Sequence, residues 1–392
     1  MSEHGEIMNG VTTVKKIIEG GLGLAFFEGK TVFLPYAAPG EMVEFSVLKE
    51  SGNILFSRIE KILEPSDMRI EPECPNFSRC PGCELLHLDY KNEIKIKKGM
   101  TEETLRRIGK SEIEIEEIIT SPDRFGYKNS AVFEFDQSGR PGLRDTESGT
   151  VIPFPPEGCP LLSEKMRDAL RELTGRSVRG EGPALARADK FGSIQFWGVE
   201  GMIELPDILI ERGGNLFPVK PRSPVMDNRF LNDRFVETVA SMPGDETSEL
   251  TDLYCGPGIL SLAFRERGIK VIGIDENRDI IEDARAAVRL NNIDGVEFMR
   301  GRIGKTLRSL KRSKSMVISP PASGIPGPLL KEIIRKTPEE IIIDSADAAT
   351  LARDISRFRS EGYSIEKSCL IDLYPGRSSS EILIRLQRRR SG

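Results

Sequence analysis

The chain has 392 residues, 38% hydrophobic and 30% charged, with a formal net charge of −5. That length implies two or three domains with a real core, and the acidic balance excludes a uniformly basic nucleic-acid coat without excluding a local basic face. No apolar run approaches the roughly 18 residues of a membrane helix, and the opening MSEHGEIMNG lacks the basic-then-apolar order of a secretory leader. A cytoplasmic protein off the membrane is the expectation.

Residues 1–64 alternate short apolar runs with Gly, Pro and Asn (GLGLAFFEGKTVFLPYAAPGEMVEF), which predicts a small β-barrel. Residues 65–90 form an irregular segment bearing Cys74, Cys80 and Cys83. A lysine-rich helical pattern, YKNEIKIKKGMTEETLRRIGK, opens an α+β middle domain over 91–212, which also holds the helix SEKMRDALRELTG. From 213 to 392 strands and helices alternate. ELTDLYCG, KVIGIDE, GVEFMRG, SMVISPP and EEIIIDSA read as strands, RDIIEDARAAVRLNN and ATLARDISRFRSEG as helices, and SIEKSCLIDLYP with EILIRLQ as a closing hairpin. The expected fold class is α/β, a doubly wound sheet with an N-terminal β-barrel and an α+β middle domain.

Asp252-Leu253-Tyr254-Cys255-Gly256-Pro257-Gly258 follows a strand and precedes a helix. Its glycines allow a tight turn and close backbone approach by a ligand. Asp275 ends the next strand, where an acid can accept from ribose hydroxyls. The third glycine of a dinucleotide fingerprint is missing, and the acid ahead of the turn favours a ligand carrying an amine. S-adenosylmethionine fits both features; a plain strand–helix turn is the alternative.

Three of the six cysteines lie within ten residues, and Cys159-Pro160 offers a fourth thiolate. Such a set holds either an iron–sulfur cluster or zinc. Only His4 and His87 are histidines, which removes most histidine-dependent chemistry and a multi-histidine zinc centre. Basic residues cluster at Lys91, Lys95, Lys97, Lys98, Arg106, Arg107 and Lys110, again from Arg300 to Lys314 (Arg302, Lys305, Arg308, Lys311 and Arg312 included), and at Arg388, Arg389 and Arg390. They are candidate phosphate contacts or, alternatively, solvated faces.

GLGLAF, VFLPYAAPGE, CPNFSRCPGCELLHLDYKNEIKIKK, YKNSAVFEF, DLYCGPG and DAATLARD, in this order, resemble the RNA uracil-5-methyltransferases that act on tRNA and 23S rRNA. The resemblance implies a class I methyltransferase sheet, a TRAM domain, S-adenosylmethionine as donor, an RNA partner and a 4Fe–4S cluster on Cys74, Cys80, Cys83 and Cys159. It implies donor contacts from Asp252, Tyr254, Gly256, Gly258, Asp275, Ser319 and Asn228. A monomer is expected.

The departures concern chemistry. That family adds a cysteine thiolate to carbon 6 of uracil before methylating carbon 5, and a glutamate then removes the proton. The cysteine position is Ala346 here, the family's Asp-Pro-Pro-Arg is Ser319-Pro320-Pro321-Ala322, and its His-Val-Glu is Ser379-Ser380-Glu381. Uracil-5 chemistry therefore lacks its nucleophile. The expected alternatives are methylation of a nucleophilic nitrogen, with Glu381 or Asp347 as base, and an RNA-binding relative without catalysis. Cys255 and Cys369 read as buried structural thiols.

Overall fold

The computed structural model describes residues 9–110, 113–145, 148–179, 182–311 and 313–389. His4, Arg312, Arg390 and most of the opening MSEHGEIMNG lie outside the described residues.

Strands β1 (Asn9–Thr13), β2 (Lys16–Ile18), β3 (Leu22–Phe27), β4 (Lys30–Pro35), β5 (Met42–Ser51) and β6 (Ile54–Glu64) form one sheet in the order β1-β5-β6-β4-β3-β2. β1 also lies against β3, so the sheet curls on itself around Val14, Ala25, Val32, Leu34, Val43 and Phe45. Alternating burial along β3 and β4 is the period-2 pattern that a one-sided sheet requires.

No strand or helix occupies residues 65–89. Helix α1 (Tyr90–Gly109) then begins at Asp89, whose side chain accepts from the Asn92 amide at 3.0 Å. The expectation placed this helix in the middle domain, and the structure does not. α1 packs on the later helix of residues Ala348–Ser360, and β7 (Glu117–Ile119) joins the C-terminal sheet. The correction extends to its basic residues. Lys91, Lys95, Arg106, Arg107 and Lys110 are at least partly exposed, but Lys97 is buried, its ammonium 2.6 Å from Asp372 and 2.8 Å from Glu93. Arg124 completes this buried group at 2.6 Å from Glu93. Removing one partner would strand a desolvated charge, so the group fixes how α1 docks.

The middle sheet, β8 (Ser130–Phe135), β9 (Pro141–Arg144), β10 (Val151–Pro153), β11 (Ala184–Ala188) and β12 (Ile194–Trp197), has the order β10-β9-β8-β11-β12. Helix α2 (Glu164–Arg171) covers it through Met166 and Leu170. The expected boundary at 212/213 cuts a hairpin of β13 (Ile208–Arg212) and β14 (Asn215–Val219). Ile208, Ile210, Phe217 and Val219 of that hairpin pack on the C-terminal unit, so it belongs there.

After α3 (Asn232–Ala240) come β15 (Glu249–Leu253), α4 (Ile259–Glu266), β16 (Lys270–Asp275), α5 (Arg278–Leu290), β17 (Val296–Arg300), α6 (Ile303–Ser309), β18 (Ser315–Ile318), α7 (Gly327–Lys336), β19 (Glu340–Ser345), α8 (Ala348–Ser360), β20 (Tyr363–Ile371) and β21 (Glu381–Arg388). The sheet order is β17-β16-β15-β18-β19-β21-β20-β7. β15 to β19 are parallel, β21 runs antiparallel to β19, and β20 antiparallel to β21. Strands buried on both faces explain why KVIGID and EIIIDS read as near-continuous apolar runs. The strand order reverses at β15, and ligands of such sheets bind beyond the carboxyl ends there.

Candidate active site

The β15–α4 turn is shaped by backbone. Tyr254, Gly256 and Gly258 all have positive φ, 62°, 56° and 87°. A side chain on Gly258 would put its Cβ 2.6 Å from the Phe298 ring, whereas a Cβ on Gly256 would meet nothing within 4 Å. Glycine is thus demanded at 258 by space and conformation, and the surface at 256 is open. The Gly256 amide donates to Asp275 Oδ2 at 3.3 Å, and the Asn277 amide to Oδ1 at 2.9 Å, which ties the two strand ends together. Gly258 caps α4 without a side-chain cap, so the first amides of that helix point past the strand end.

Asp252 is buried beneath the turn. Its Oδ2 accepts from Ser261 Oγ at 2.6 Å, while Oδ1 has no partner among the described residues. Burial raises its carboxyl to about 7, opposed by the Ser261 bond and reinforced by the charges of Asp275 and Asp344. An unpartnered buried acceptor here suits a ligand carrying an amine. Tyr254 faces a flanking cleft of about 450 Å³ with Glu276, Arg302 and Ile303.

Beside this turn, at the ends of β18, β19 and β21, lies a carboxyl pair. Glu381, the first residue of β21, hydrogen-bonds Asp344 of β19, and both are buried. Ser319 Oγ donates to Asp344 Oδ2 at 3.3 Å, and apart from the Glu381 carboxyl Asp344 Oδ1 has no partner among the described residues. Burial, then the Asp344 charge, lifts Glu381 well above the carboxylate range. Burial lifts Asp344 to about 6, with the bonds from Glu381 and Ser319 acting against it. Two carboxyls this close hold one proton between them over a wide pH range. Asp344 is not marked by the sequence motifs; the available signal is an acid directly after the apolar run III of β19.

The other candidates separate. Ala346 is exposed just beyond β19, so its position lies at the mouth of this site. Asp347 caps α8, its Oδ1 accepting from the Thr350 amide at 2.7 Å, which commits that oxygen. Asn228 is buried away from any opening; its amide donates to Ser121 Oγ and the Leu373 carbonyl, and its oxygen accepts from the Phe230 amide. Its side-chain donors and its oxygen are therefore engaged inside the fold. Cys255 and Cys369 are buried, with Cys255 pushed well above its usual range and Cys369 to about 12, both chiefly by burial. Neither supplies a thiolate at neutral pH.

The loop from β20 to β21, which delivers Tyr374 and Glu381, is pinned from outside the sheet. Tyr90 donates to Asp372 at 2.8 Å, Tyr127 to the Pro375 carbonyl at 3.1 Å, and the Gly376 and Ser378 amides to Glu93 and Glu84. Glu84 follows the cysteines. Cys74, Cys80, Cys83 and Cys159 all line one cavity of about 330 Å³ with Phe77, Leu143 and Phe154. Burial raises every one of these thiols, Cys159 to about 11, and for Cys80, Cys83 and Cys159 the charges of neighbouring cysteines add to the rise. These four half-buried thiols stay protonated at neutral pH unless a cation binds them. Among the described residues no group of three or more His, Cys, Asp or Glu is drawn together as for a single metal ion. His87 stands apart, its Nε2 3.1 Å from the Ala37 carbonyl and its ring held down to about 4 by burial.

Residues 245–364 match a family described as a methyltransferase domain. A curated protein of Leptospira interrogans named an uncharacterized RNA methyltransferase is 28% identical over 94% of this chain and 92% of its own. One from Aquifex aeolicus bearing the same name is 28% identical over 93% of this chain and 95% of its own. Among solved structures, the tRNA (uracil-54, C5)-methyltransferase of Pyrococcus abyssi in complex with S-adenosyl-L-homocysteine superposes with a TM-score of 0.75 at 20% identity, covering 96% of this chain and 99% of that one. The fold is that of a class I methyltransferase. Among the described residues no helix is long and apolar enough to cross a membrane.

Proposed function

We propose that this chain, a class I methyltransferase by fold with curated RNA methyltransferases as full-length relatives, transfers a methyl group from S-adenosylmethionine to a nucleotide of a tRNA or rRNA. The observation that carries the reading is the open glycine turn over a buried acid, Asp252, whose Oδ1 lacks a partner. The donor supplies a methyl on a sulfonium, electrophilic enough for direct attack by an amine nitrogen. Asp252 and the first amides of α4 would hold its amino-acid end, and Asp275 its ribose.

Ala346 offers no nucleophile, so the acceptor must be one that needs no covalent adduct: an exocyclic or ring nitrogen. The carboxyl pair suits this. Asp344 Oδ1 can accept an N–H from the acceptor base, and Asp344 with Glu381 takes up the proton that nitrogen sheds as its bond to the methyl carbon forms. Titration near 6 keeps Asp344 ionised at neutral pH while its neighbour retains the shared proton.

The four cysteines line one roomy cavity, which suits an iron–sulfur cluster, with zinc as the alternative. Cys74, Cys80, Cys83 and Cys159 would hold it, and its contribution would be to tie residues 74–83 to Cys159, beside Glu84, which accepts from the Ser378 amide of the loop before Glu381. The curled N-terminal sheet, read as a TRAM-like domain, would contact RNA. Incubating the protein with labelled donor and cellular RNA tests the reading; incorporation into one RNA class supports it. The exposed Ala346 favours one second reading, an RNA-binding relative without transfer, and saturating donor binding without incorporation into any RNA would select it.

A further inference from the structure

A polar cleft of about 190 Å³ lies between β11 of the middle sheet, the β13–β14 hairpin and the segment from Val225 to Asp233. Four cations line it: Arg187, Lys190, Arg212 and Arg229. Four acids line it as well, so formal charge cancels, and what distinguishes the cleft is where each group is directed. Three of the acids are engaged by the protein's own amides, and the fourth, Glu211, is exposed. Asp189 Oδ1 accepts from the amides of Phe191 and Ser193, Asp227 from those of Asn129 and Ser130, and Asp233 from that of Gly213.

The cations have no such carboxylate partners. Among the described residues none of the four forms an ion pair. Arg187 donates only to the Ser223 carbonyl, through both terminal nitrogens at 3.3 Å, and Arg212 only to the carbonyls of Glu211 and Met226. The Nε atoms of both are buried without any acceptor. Burial lowers both guanidinium groups, with the nearby Asp227 charge acting against it. Buried cations without an acceptor at Nε are costly unless an anion completes them.

The rim adds aromatic surface. Lys190 sits 5.0 Å from the Phe191 ring centre and Arg229 4.5 Å from that of Phe230, and Phe191 is 74% exposed. Cations beside an exposed ring are the pairing that single-stranded nucleic acid uses, phosphate on the charge and base on the ring. Asn228, next to Asp227 in the chain, donates to the Leu373 carbonyl at 3.1 Å, so the cleft adjoins the loop that leads to Glu381.

We propose that this cleft is a phosphodiester site, in which Arg187, Lys190, Arg212 and Arg229 hold the RNA backbone next to the target nucleotide while Phe191 stacks an adjoining base. The proposal rests on the reading of RNA as substrate. Two measurements separate the two. The first follows binding of a labelled single-stranded twelve-nucleotide RNA by anisotropy across a salt series, for the full chain and for Arg229→Gln, Lys190→Gln and Arg187→Gln. Each lost phosphate contact should lower the log–log salt slope by about 0.7. Arg335→Gln, whose partner is Glu332 on α7, should leave the slope unchanged. The second titrates inorganic pyrophosphate calorimetrically, with heat expected for the native chain and lost in Arg187→Gln. Should Arg187→Gln fail to fold, Arg229→Gln and Lys190→Gln, with outward-reaching charges, carry both tests. RNA binding with an unaltered slope in the variants overturns the cleft and spares the RNA reading. Pyrophosphate heat that the variants lose, in a chain that binds no RNA, overturns the RNA reading and keeps the anion site.

Discussion

The two halves of the site are built from different materials. On the donor side, the turn after β15 is shaped by backbone: positive φ at Tyr254, Gly256 and Gly258, amides directed at Asp275, and no space for a Cβ at Gly258. On the acceptor side, the ends of β18, β19 and β21 present side chains: Ser319, Asp344, Ala346 and Glu381. A backbone cradle tolerates little change without losing its shape, whereas side chains at strand ends can be exchanged while the ladders beneath them stay intact. The acceptor side can therefore be rewritten on an unaltered donor scaffold. Ser319 at the end of β18 hydrogen-bonds Asp344 one strand over, on β19.

The largest effect expected from breaking this contrast is on the donor side. Gly258→Ala forces a left-handed residue, costing about 1–2 kcal/mol, and drives a methyl into Phe298; titration calorimetry should lose donor binding and turnover should vanish with it. Glu381→Gln should keep donor affinity within about twofold while turnover drops by about 10²–10⁴, measured as labelled methyl incorporated into RNA. Equal losses in both quantities would mean that the two sides are not separable.

On the proposed cluster, Cys83→Ser should abolish visible absorption of anaerobically purified protein and lower Tm by roughly 5 °C, because Glu84 beside it holds the loop before β21; protein colourless before the substitution would contradict the cluster. Asp344 gives a pH signature. Its carboxyl titrates at about 6 in the folded chain against an ordinary value of 3.8, so the folded chain binds more protons between those values. Stability consequently falls as pH rises from about 4 to about 6 and stays reduced above. Asp344→Asn should remove up to about 3 kcal/mol of that penalty at pH 8 and nothing at pH 4. In activity, the native profile should rise through about pH 6 as the pair gains a negative charge. The smallest effect belongs to Asp347→Ala, which should cost about 1 kcal/mol of stability by losing a cap and leave turnover within about twofold; a collapse of turnover would restore Asp347 as a base.

Local pattern made much of this legible. The βαβ succession, the closing hairpin and the glycine turn all announce themselves through apolar runs and turn residues within a few positions of one another. What escaped depends on partners far away in the chain. Lys97 reads as one more exposed lysine of a basic helix, and Asp372, 275 residues away, joins Glu93 in making it a buried cation. β7 is three residues long and becomes a strand only because β20 receives it. Asn228 and Asp347 carry plausible chemistry in one dimension, but the Leu373 carbonyl and the Thr350 amide claim them in three. Asp344 was overlooked for the opposite reason: its strand looked like ordinary core, and its partner Glu381 arrives on a different strand.

The most direct test digests RNA that the protein has methylated with labelled donor and identifies the labelled nucleoside by mass spectrometry. Label on an amine or ring nitrogen, with none in 5-methyluridine, is the outcome predicted for a donor cradle facing a pocket without a thiol. Label in 5-methyluridine would contradict it.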